Sequence, residues 1–296
     1  MILLRQEKIT SAFMYLFLGI IILLPFILIL GLVVKSGSVL QDNSLSELLF
    51  SAEWKPFQGK FGFSTFIYSS ILVTLLAALM AVPLCILTAI YLTYYAKRSY
   101  LNIIQPVIDI LAGIPSIIYG VWGILIVVPL TSKYVAPFFG IESTGYSVFA
   151  GAVVLAIMII PFILNILLEI FKSISKELPE ASIALGATKW QTIKFVVMRK
   201  ALAGIISSVV FGLSRAFGET IAVLMVVGNV AQIPKDIFQP GYPLPALIAN
   251  NFGEMLSIPG YESALMFAAL ILLVIVMIFN LAAKWLIARY ESKVTI

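Results

Sequence analysis

The stretch that decides the fold runs from residue 148 to residue 168 and reads VFAGAVVLAIMIIPFILNILL. It has no charged residue in 21 positions, and similar long apolar runs cover residues 13–34 and 265–286. A helix of about 20 residues rises roughly 30 Å, which matches the hydrocarbon core of a bilayer. The sequence therefore predicts an all-α integral membrane protein.

The composition of the whole chain agrees with this prediction. Of the 296 residues, 61% are hydrophobic and only 11% are charged, whereas an ordinary soluble domain has roughly 25% charged residues. The chain has one cysteine and no histidine, which argues against a zinc site or a histidine-based general base. We therefore predict that the chain is not an enzyme and that it holds no metal.

Hydropathy predicts six transmembrane helices. The predicted spans are residues 11–34, 64–95, 103–130, 146–171, 201–228 and 262–288. Residues 1–64 would form the first helix and an external loop. Residues 65–290 would form a core of five helices, with a polar segment at about 172–200 between the fourth and the fifth.

Basic residues predict the orientation of these helices. With the N-terminus inside, thirteen Lys and Arg residues lie on the inner side and five on the outer side. Positive charge is enriched on the cytoplasmic side of membrane proteins, so both termini are expected in the cytoplasm. The net charge of +5 is then explained by contact with anionic lipid, and no nucleic-acid partner is predicted.

The polar segment 172–200 contains the pattern of a short helix. Residues 179–188 read PEASIALGAT, and Gly186 would end this helix because glycine tolerates the left-handed conformation of a helix end. The small side chains of Ala181 and Ser182 would allow another protein to approach closely. Two interpretations remain open, namely an ordinary interfacial helix and a helix that docks into a groove on a cytosolic partner.

The fifth predicted helix contains two ionisable residues, Arg215 and Glu219. Counted from residue 201, Arg215 lies about 21 Å along the helix, near the bilayer centre. Glu219 follows four residues later and should share the same face. An ionisable group at that depth costs roughly 2.5–3.5 kcal/mol, so such groups usually pair with each other or face a cavity.

Two interpretations of this pair remain open. The two side chains could neutralise each other and have no further role. Alternatively they line a transport pathway, together with the hydroxyls of Ser214 and Thr220. The planar donor fork of Arg215 suits a tetrahedral oxyanion such as phosphate or sulfate, and Glu219 would temper its attraction so that the anion passes.

The third predicted helix is interrupted near its middle by Pro115, which cannot donate a backbone hydrogen bond. Carbonyl groups released in this way are tolerated at membrane depth where they face protein or a water-filled cavity. Ser116 and Tyr119 are therefore further candidates for the pathway. A simple packing kink explains the interruption equally well.

The polar segment also resembles the cytoplasmic coupling loop of ABC-importer permeases. That motif is Glu-Ala-Ala, three residues, Gly, nine residues and Ile-x-Leu-Pro. Glu180, Ala181 and Gly186 match it, and Ser182 stands for the second Ala. Arg199 replaces the Pro, which puts a kink at that point in doubt. The resemblance implies that this loop, with Ser182 included, docks on an ATPase subunit.

Residues 212–223 and 111–123 resemble signatures of phosphate ABC-importer permeases, and the Gly-Glu-Thr at 218–220 favours the PstC-type subunit. The resemblance implies the type I importer permease fold, in which a coupling helix lies between helices four and five. It also implies a prokaryotic cell-membrane location and transport of inorganic phosphate. The implied partners are a second, PstA-type permease, a dimeric cytosolic ATP-binding subunit and an extracytoplasmic phosphate-binding protein.

The energy for transport is predicted to come from another subunit, because this chain lacks the common ATP-binding loop. The chain has no Gly-x-x-x-x-Gly-Lys-Ser/Thr loop, so we predict no cofactor in this chain and ATP binding by the partner. A permease for sulfate or molybdate remains an alternative because Arg215 alone does not separate oxyanions. An ion-coupled secondary transporter is a second alternative, but it predicts inverted repeats and more intramembrane acids.

Overall fold

The computed structural model describes residues 2–253 and 258–294. In chain order its first half contains α1 (Ile2–Lys35), α2 (Gly37–Asp42), α3 (Leu45–Phe50), a hairpin of β1 (Trp54–Lys55) and β2 (Lys60–Phe61), α4 (Ser64–Tyr95), α5 (Arg98–Gly113) and α6 (Ser116–Phe138). The second half contains α7 (Val148–Ser173), α8 (Glu177–Ala184), α9 (Lys189–Phe217), α10 (Ile221–Leu224), α11 (Leu244–Asn251) and α12 (Tyr261–Val294).

Six helices in the described residues are long and apolar enough to cross a membrane, as the sequence predicts. The spans predicted at 11–34, 64–95, 146–171 and 262–288 are confirmed as α1, α4, α7 and α12, within a few residues at most ends. The predicted helix between the fourth and fifth spans is confirmed as α8. The division into residues 1–64 and 65–290 stays a prediction.

The third predicted span is wrong at both ends. Residues 98–113 form the separate amphipathic helix α5, and the membrane-length helix is α6. The break falls at Ile114, whose backbone is extended with ψ 128°, because the residue before a proline is pushed out of the helical region. Asp109, which the hydropathy placed inside a span, therefore lies on α5.

The fifth predicted span is also wrong at both ends. α9 begins at Lys189, where Thr188 and Gln191 form a capping box, so the basic residues assigned to a loop occupy its first turns. The helix ends at Phe217, and Gly218 is its C-cap. Glu219 therefore lies beyond the helix, and the apolar residues that follow form the short helix α10.

The core is built around α7. In its most apolar window 67% of the residues are buried, against 0% for α1. α4 and α9 pack along α7 and share its main apolar cluster. Gly212 of α9 allows this close approach, because a Cβ there would lie 2.5 Å from Ile163 of α7. The C-terminal end of α9 is thus held against the most buried helix of the protein.

Candidate transport and coupling sites

Arg215 lies in the last turn of α9, about 39 Å along the helix from Lys189. Its side chain is exposed in this chain. The guanidinium carbon lies over the ring of Phe162 on α7, 3.7 Å from the ring centroid. A guanidinium in this arrangement still has donors along its edge that match the oxygens of a tetrahedral anion.

Glu219 does not share a helical face with Arg215, contrary to the sequence prediction. Among the described residues, none of the ion pairs within 4.0 Å joins the two side chains. The Glu219 carboxylate instead accepts a hydrogen bond from the backbone N–H of Ala222 at 3.2 Å. It also lines a small cavity with Ser70 and Thr74 of α4. Glu219 thus belongs to the turn between α9 and α10.

The two hydroxyl groups beside the pair point to different partners. Ser214 donates a hydrogen bond to Oδ1 of Asn280 on α12 at 3.1 Å. Thr220 donates to the backbone carbonyl of Gly218 at 3.3 Å. Ser214 therefore helps to join α9 to α12, while Thr220 stabilises the turn that holds Glu219.

The break between α5 and α6 has a specific hydrogen-bond arrangement. Pro115 cannot donate to the carbonyl of Leu111, four residues earlier. The buried Tyr119 hydroxyl donates to that carbonyl at 2.8 Å. Ser116 is half-buried in the first turn of α6. The structure gives Tyr119 a structural task, and the pathway roles of both residues stay predictions.

α6 brings this break close to the Glu219 turn. A Cβ on Gly120 would lie 2.5 Å from the Met225 sulfur and 3.3 Å from Cα of Ala222. Tyr119 and Ala222 belong to one apolar cluster. The start of α6 and the segment that follows α9 are therefore packed together.

Sequence reasoning missed a polar network between α5 and α7. Asn165 accepts a hydrogen bond from Gln105 and donates one to Asp109, both at 3.0 Å. Lys172 donates to Gln105 at 3.4 Å. Asn165 is the one polar residue within the run 148–168, so its presence there was an available signal. Phe162 lies one turn away from it on the same face of α7.

The coupling segment ends as the sequence predicts. Gly186 has φ +88° and follows the C-cap residue Leu185. The N–H of Gly186 donates to the carbonyl of Ile183 at 2.9 Å, and the N–H of Ala187 donates to the carbonyl of Ser182 at 3.2 Å. These two bonds form a Schellman motif, so the helix-stopping role of Gly186 is confirmed.

The other residues predicted to couple to an ATPase lie on the surface of this chain. Glu180 and Ala181 are exposed, and Leu185 beside them is 90% exposed. Ser182 is half-buried, and its hydroxyl lies 3.0 Å from the hydroxyl of Thr192 on α9. α8 is therefore attached to the first turns of α9 on one side and leaves the predicted docking residues accessible on the other.

The described residues contain no group of three His, Cys, Asp or Glu side chains that could hold a metal ion.

Comparison with known proteins identifies the sequence family. Residues 81–296 match the family described as "Binding-protein-dependent transport system inner membrane component". A phosphate transport system permease protein PstC from Xylella fastidiosa is 36% identical over 258 residues, covering 82% of this chain and 79% of the relative. A probable phosphate transport system permease protein PstC from Methanocaldococcus jannaschii is 32% identical over 290 residues, covering 93% and 92%.

Solved structures agree on the fold. A bacterial ABC transporter involved in alginate import matches with a TM-score of 0.64 at 15% identity, covering 98% of this chain and 99% of that chain. The MetNI methionine ABC transporter matches with a TM-score of 0.59 at 20% identity, covering 77% and 95%. These structures show that the helices described above form the fold of type I ABC importer permeases.

Proposed function

Because the chain belongs to the family of binding-protein-dependent transport system inner membrane components, we propose that it is the PstC-type permease of an ATP-driven importer of inorganic phosphate. Members of this family are membrane components of transporters, and the chain is a multi-pass permease rather than an enzyme. The relatives named PstC support phosphate over sulfate and molybdate as the transported anion.

The observation that carries the proposal is the exposed guanidinium of Arg215 at the end of α9, without an ion pair to any described residue. A cation in an apolar protein is costly unless an anion or water compensates it. A transported oxyanion is such a partner, and it would bind through charge-assisted hydrogen bonds. Glu219, two residues beyond the end of the helix, would limit how tightly the anion is held.

Ser116, Tyr119, Ser214 and Thr220 have supporting roles in this proposal. Ser116 begins α6, the helix whose Gly120 packs against Met225 and Ala222, and its hydroxyl would contact the anion. The other three hydroxyls donate to protein groups, so they would shape the pathway walls around Arg215.

The proposal assigns the energy supply to partners. The exposed residues Glu180, Ala181 and Gly186 would dock, with Ser182 beside them, on a dimeric cytosolic ATP-binding subunit. ATP would bind to that subunit, and its closure would move α8 and, through the contact of Ser182 with Thr192, the first turns of α9. A PstA-type permease would complete the pathway, and an extracytoplasmic binding protein would deliver phosphate.

The proposed orientation puts both termini in the cytoplasm of a prokaryotic cell. The excess of basic residues on the side of α8 supports it. Alternating access would then expose Arg215 first to the binding protein and later to the cytoplasm, while the bundle around α7 tilts against the second permease.

Anion uptake in cells tests this function. Cells that lack the chain, and the same cells with the wild-type chain restored, are given labelled phosphate, sulfate and molybdate in separate assays. We expect phosphate uptake to depend on the chain and the other two to be unaffected. Loss of sulfate or molybdate uptake, with phosphate uptake intact, would overturn the phosphate assignment.

A further inference from the structure

Phe162 of α7 lies against the guanidinium group of Arg215. The guanidinium carbon lies 3.7 Å from its ring centroid, which is well inside the range of about 6 Å at which a cation is attracted to an aromatic face. Phe162 is half-buried, whereas Arg215 is exposed. The ring is thus supported by the protein while the cation above it remains accessible.

Two carboxylates of this part of the protein accept hydrogen bonds from groups other than Arg215. The Glu219 carboxylate accepts from the N–H of Ala222, and the Asp109 carboxylate accepts from Asn165, one turn from Phe162 on α7. None of the ion pairs within 4.0 Å among the described residues includes Arg215. The ring therefore replaces a carboxylate as the support of Arg215.

Support by an aromatic ring in place of a carboxylate affects what Arg215 can bind. A carboxylate would occupy the N–H donors of the guanidinium and cancel its charge. An aromatic face attracts the cation through its quadrupole and forms no hydrogen bonds with the edge of the group. The five N–H donors are then left to water or to an incoming oxyanion.

We propose that Phe162 is a positioning residue for anion transport, one that fixes the guanidinium of Arg215 over its ring and keeps the donor edge available to the oxyanion. This inference rests on the proposed function of Arg215. It predicts that the affinity for phosphate depends on the negative charge of the π face of the ring, and not only on the shape of the ring.

Fluorinated phenylalanines at position 162 test this inference in the complete transporter, reconstituted in vesicles with labelled phosphate. Fluorine weakens the aromatic quadrupole and changes the shape of the ring little. We expect the KM for phosphate uptake to rise with each added fluorine, reaching about three- to tenfold for the trifluoro ring. Maximal rate and basal ATP hydrolysis should change little. F162L removes the aromatic ring, and its KM should rise about as much as that of the trifluoro variant. If F162L does not assemble, the fluorinated variants alone test the inference.

Two further outcomes separate this inference from the proposed function. If R215Q abolishes uptake and the KM is unchanged along the fluorine series, Phe162 is only a packing residue and the inference is wrong. If R215Q transports phosphate normally, the proposed role of Arg215 fails and the inference fails with it.

Discussion

The C-terminal end of α9 and the predicted coupling helix α8 differ from ordinary packing in opposite ways. At the end of α9 a charged side chain, Arg215, lies in an apolar membrane protein and rests on an aromatic ring. At the end of α8 an apolar side chain, Leu185, is 90% exposed beyond the membrane-length helices. Arg215 has no ion pair among the described residues, and Leu185 presents apolar surface that burial against another protein would stabilise.

The contrast indicates what each region lacks. A cation without a counter-ion is stabilised by an anion, whereas an exposed apolar side chain is stabilised by burial against another protein. The two regions are also built differently. Side chains are crowded around Gly120 and Gly212 near the first region, while nothing lies within 4 Å of a Cβ placed on Gly186 in the second. The first region is therefore tightly packed, whereas the second is an open surface.

Apart from removal of the Arg215 charge, the largest effect is expected at Gly186. G186V places a β-branched residue at φ +88°, which costs at least about 1–2 kcal/mol locally and opens the end of α8. We expect phosphate uptake to fall about tenfold or more, because docking on the ATPase is disturbed. Uptake and ATP hydrolysis are measured together in vesicles. G186N is the matched control, since Asn tolerates this conformation, and it should retain most activity; equal loss in both variants would contradict the conformational explanation.

A smaller effect is expected when the charge of Arg215 is kept and its shape is changed. R215K preserves the cation, but its ammonium lacks the planar fork that binds two oxygens at once. The KM for phosphate should rise about three- to tenfold, without a change in ATP hydrolysis. K133R, at the last π-helical turn of α6, controls for the exchange of the two residue types. An unchanged KM in R215K would mean that only charge matters at this site.

Alanine substitutions at two glycines test how tightly the region around the end of α9 is packed. Gly113 and Gly120 lie on either side of the break between α5 and α6. G120A forces a methyl group against Met225 and Ala222 and should destabilise the protein by about 1–3 kcal/mol. G113A meets nothing within 4 Å and should leave stability unchanged or slightly raised. Thermal unfolding of the detergent-solubilised protein measures both. Equal transition temperatures would show that this region can relax.

The smallest effect concerns the attachment of α8 to α9. S182A removes the hydroxyl contact with Thr192 at 3.0 Å, which should contribute about 0.5–1.5 kcal/mol to stability. A double-mutant cycle with T192V isolates this contribution from other losses. A coupling energy indistinguishable from zero would mean that this hydroxyl contact does not join α8 to α9, and would remove the proposed route of coupling.

The sequence was sufficient for features that depend on local chemistry. Long apolar runs predicted six spans, and the Gly186 helix end followed from the conformational freedom of glycine. The sequence was insufficient where apolar residues continue past the end of a helix, because hydropathy does not detect that end. The residues after Phe217 stay apolar, so hydropathy extended the helix past Gly218, and Pro115 suggested a kink where the chain forms two separate helices.

Residue types pointed to a candidate site, but the contacts of its residues could not be predicted. Arg215 was identified because a charge in an apolar helix is costly. Its partner was assumed to be Glu219 from the four-residue spacing, which is valid only within a helix. The contacts with Phe162, and the network around Asn165, join residues more than 50 positions apart. Such contacts depend on how α5, α7 and α9 pack and have no signal in local sequence.

The proposed binding of the transported anion by Arg215 is tested by comparing wild-type and R215Q transporters in vesicles. Phosphate uptake and ATP hydrolysis are measured on the same preparation. Loss of charge-assisted hydrogen bonds worth about 1.5–3 kcal/mol predicts a tenfold to hundredfold decrease in uptake. Subunit assembly and basal ATP hydrolysis should persist, because α8 is unchanged. Uptake by R215Q within about twofold of wild type, at phosphate concentrations below KM, would contradict the account.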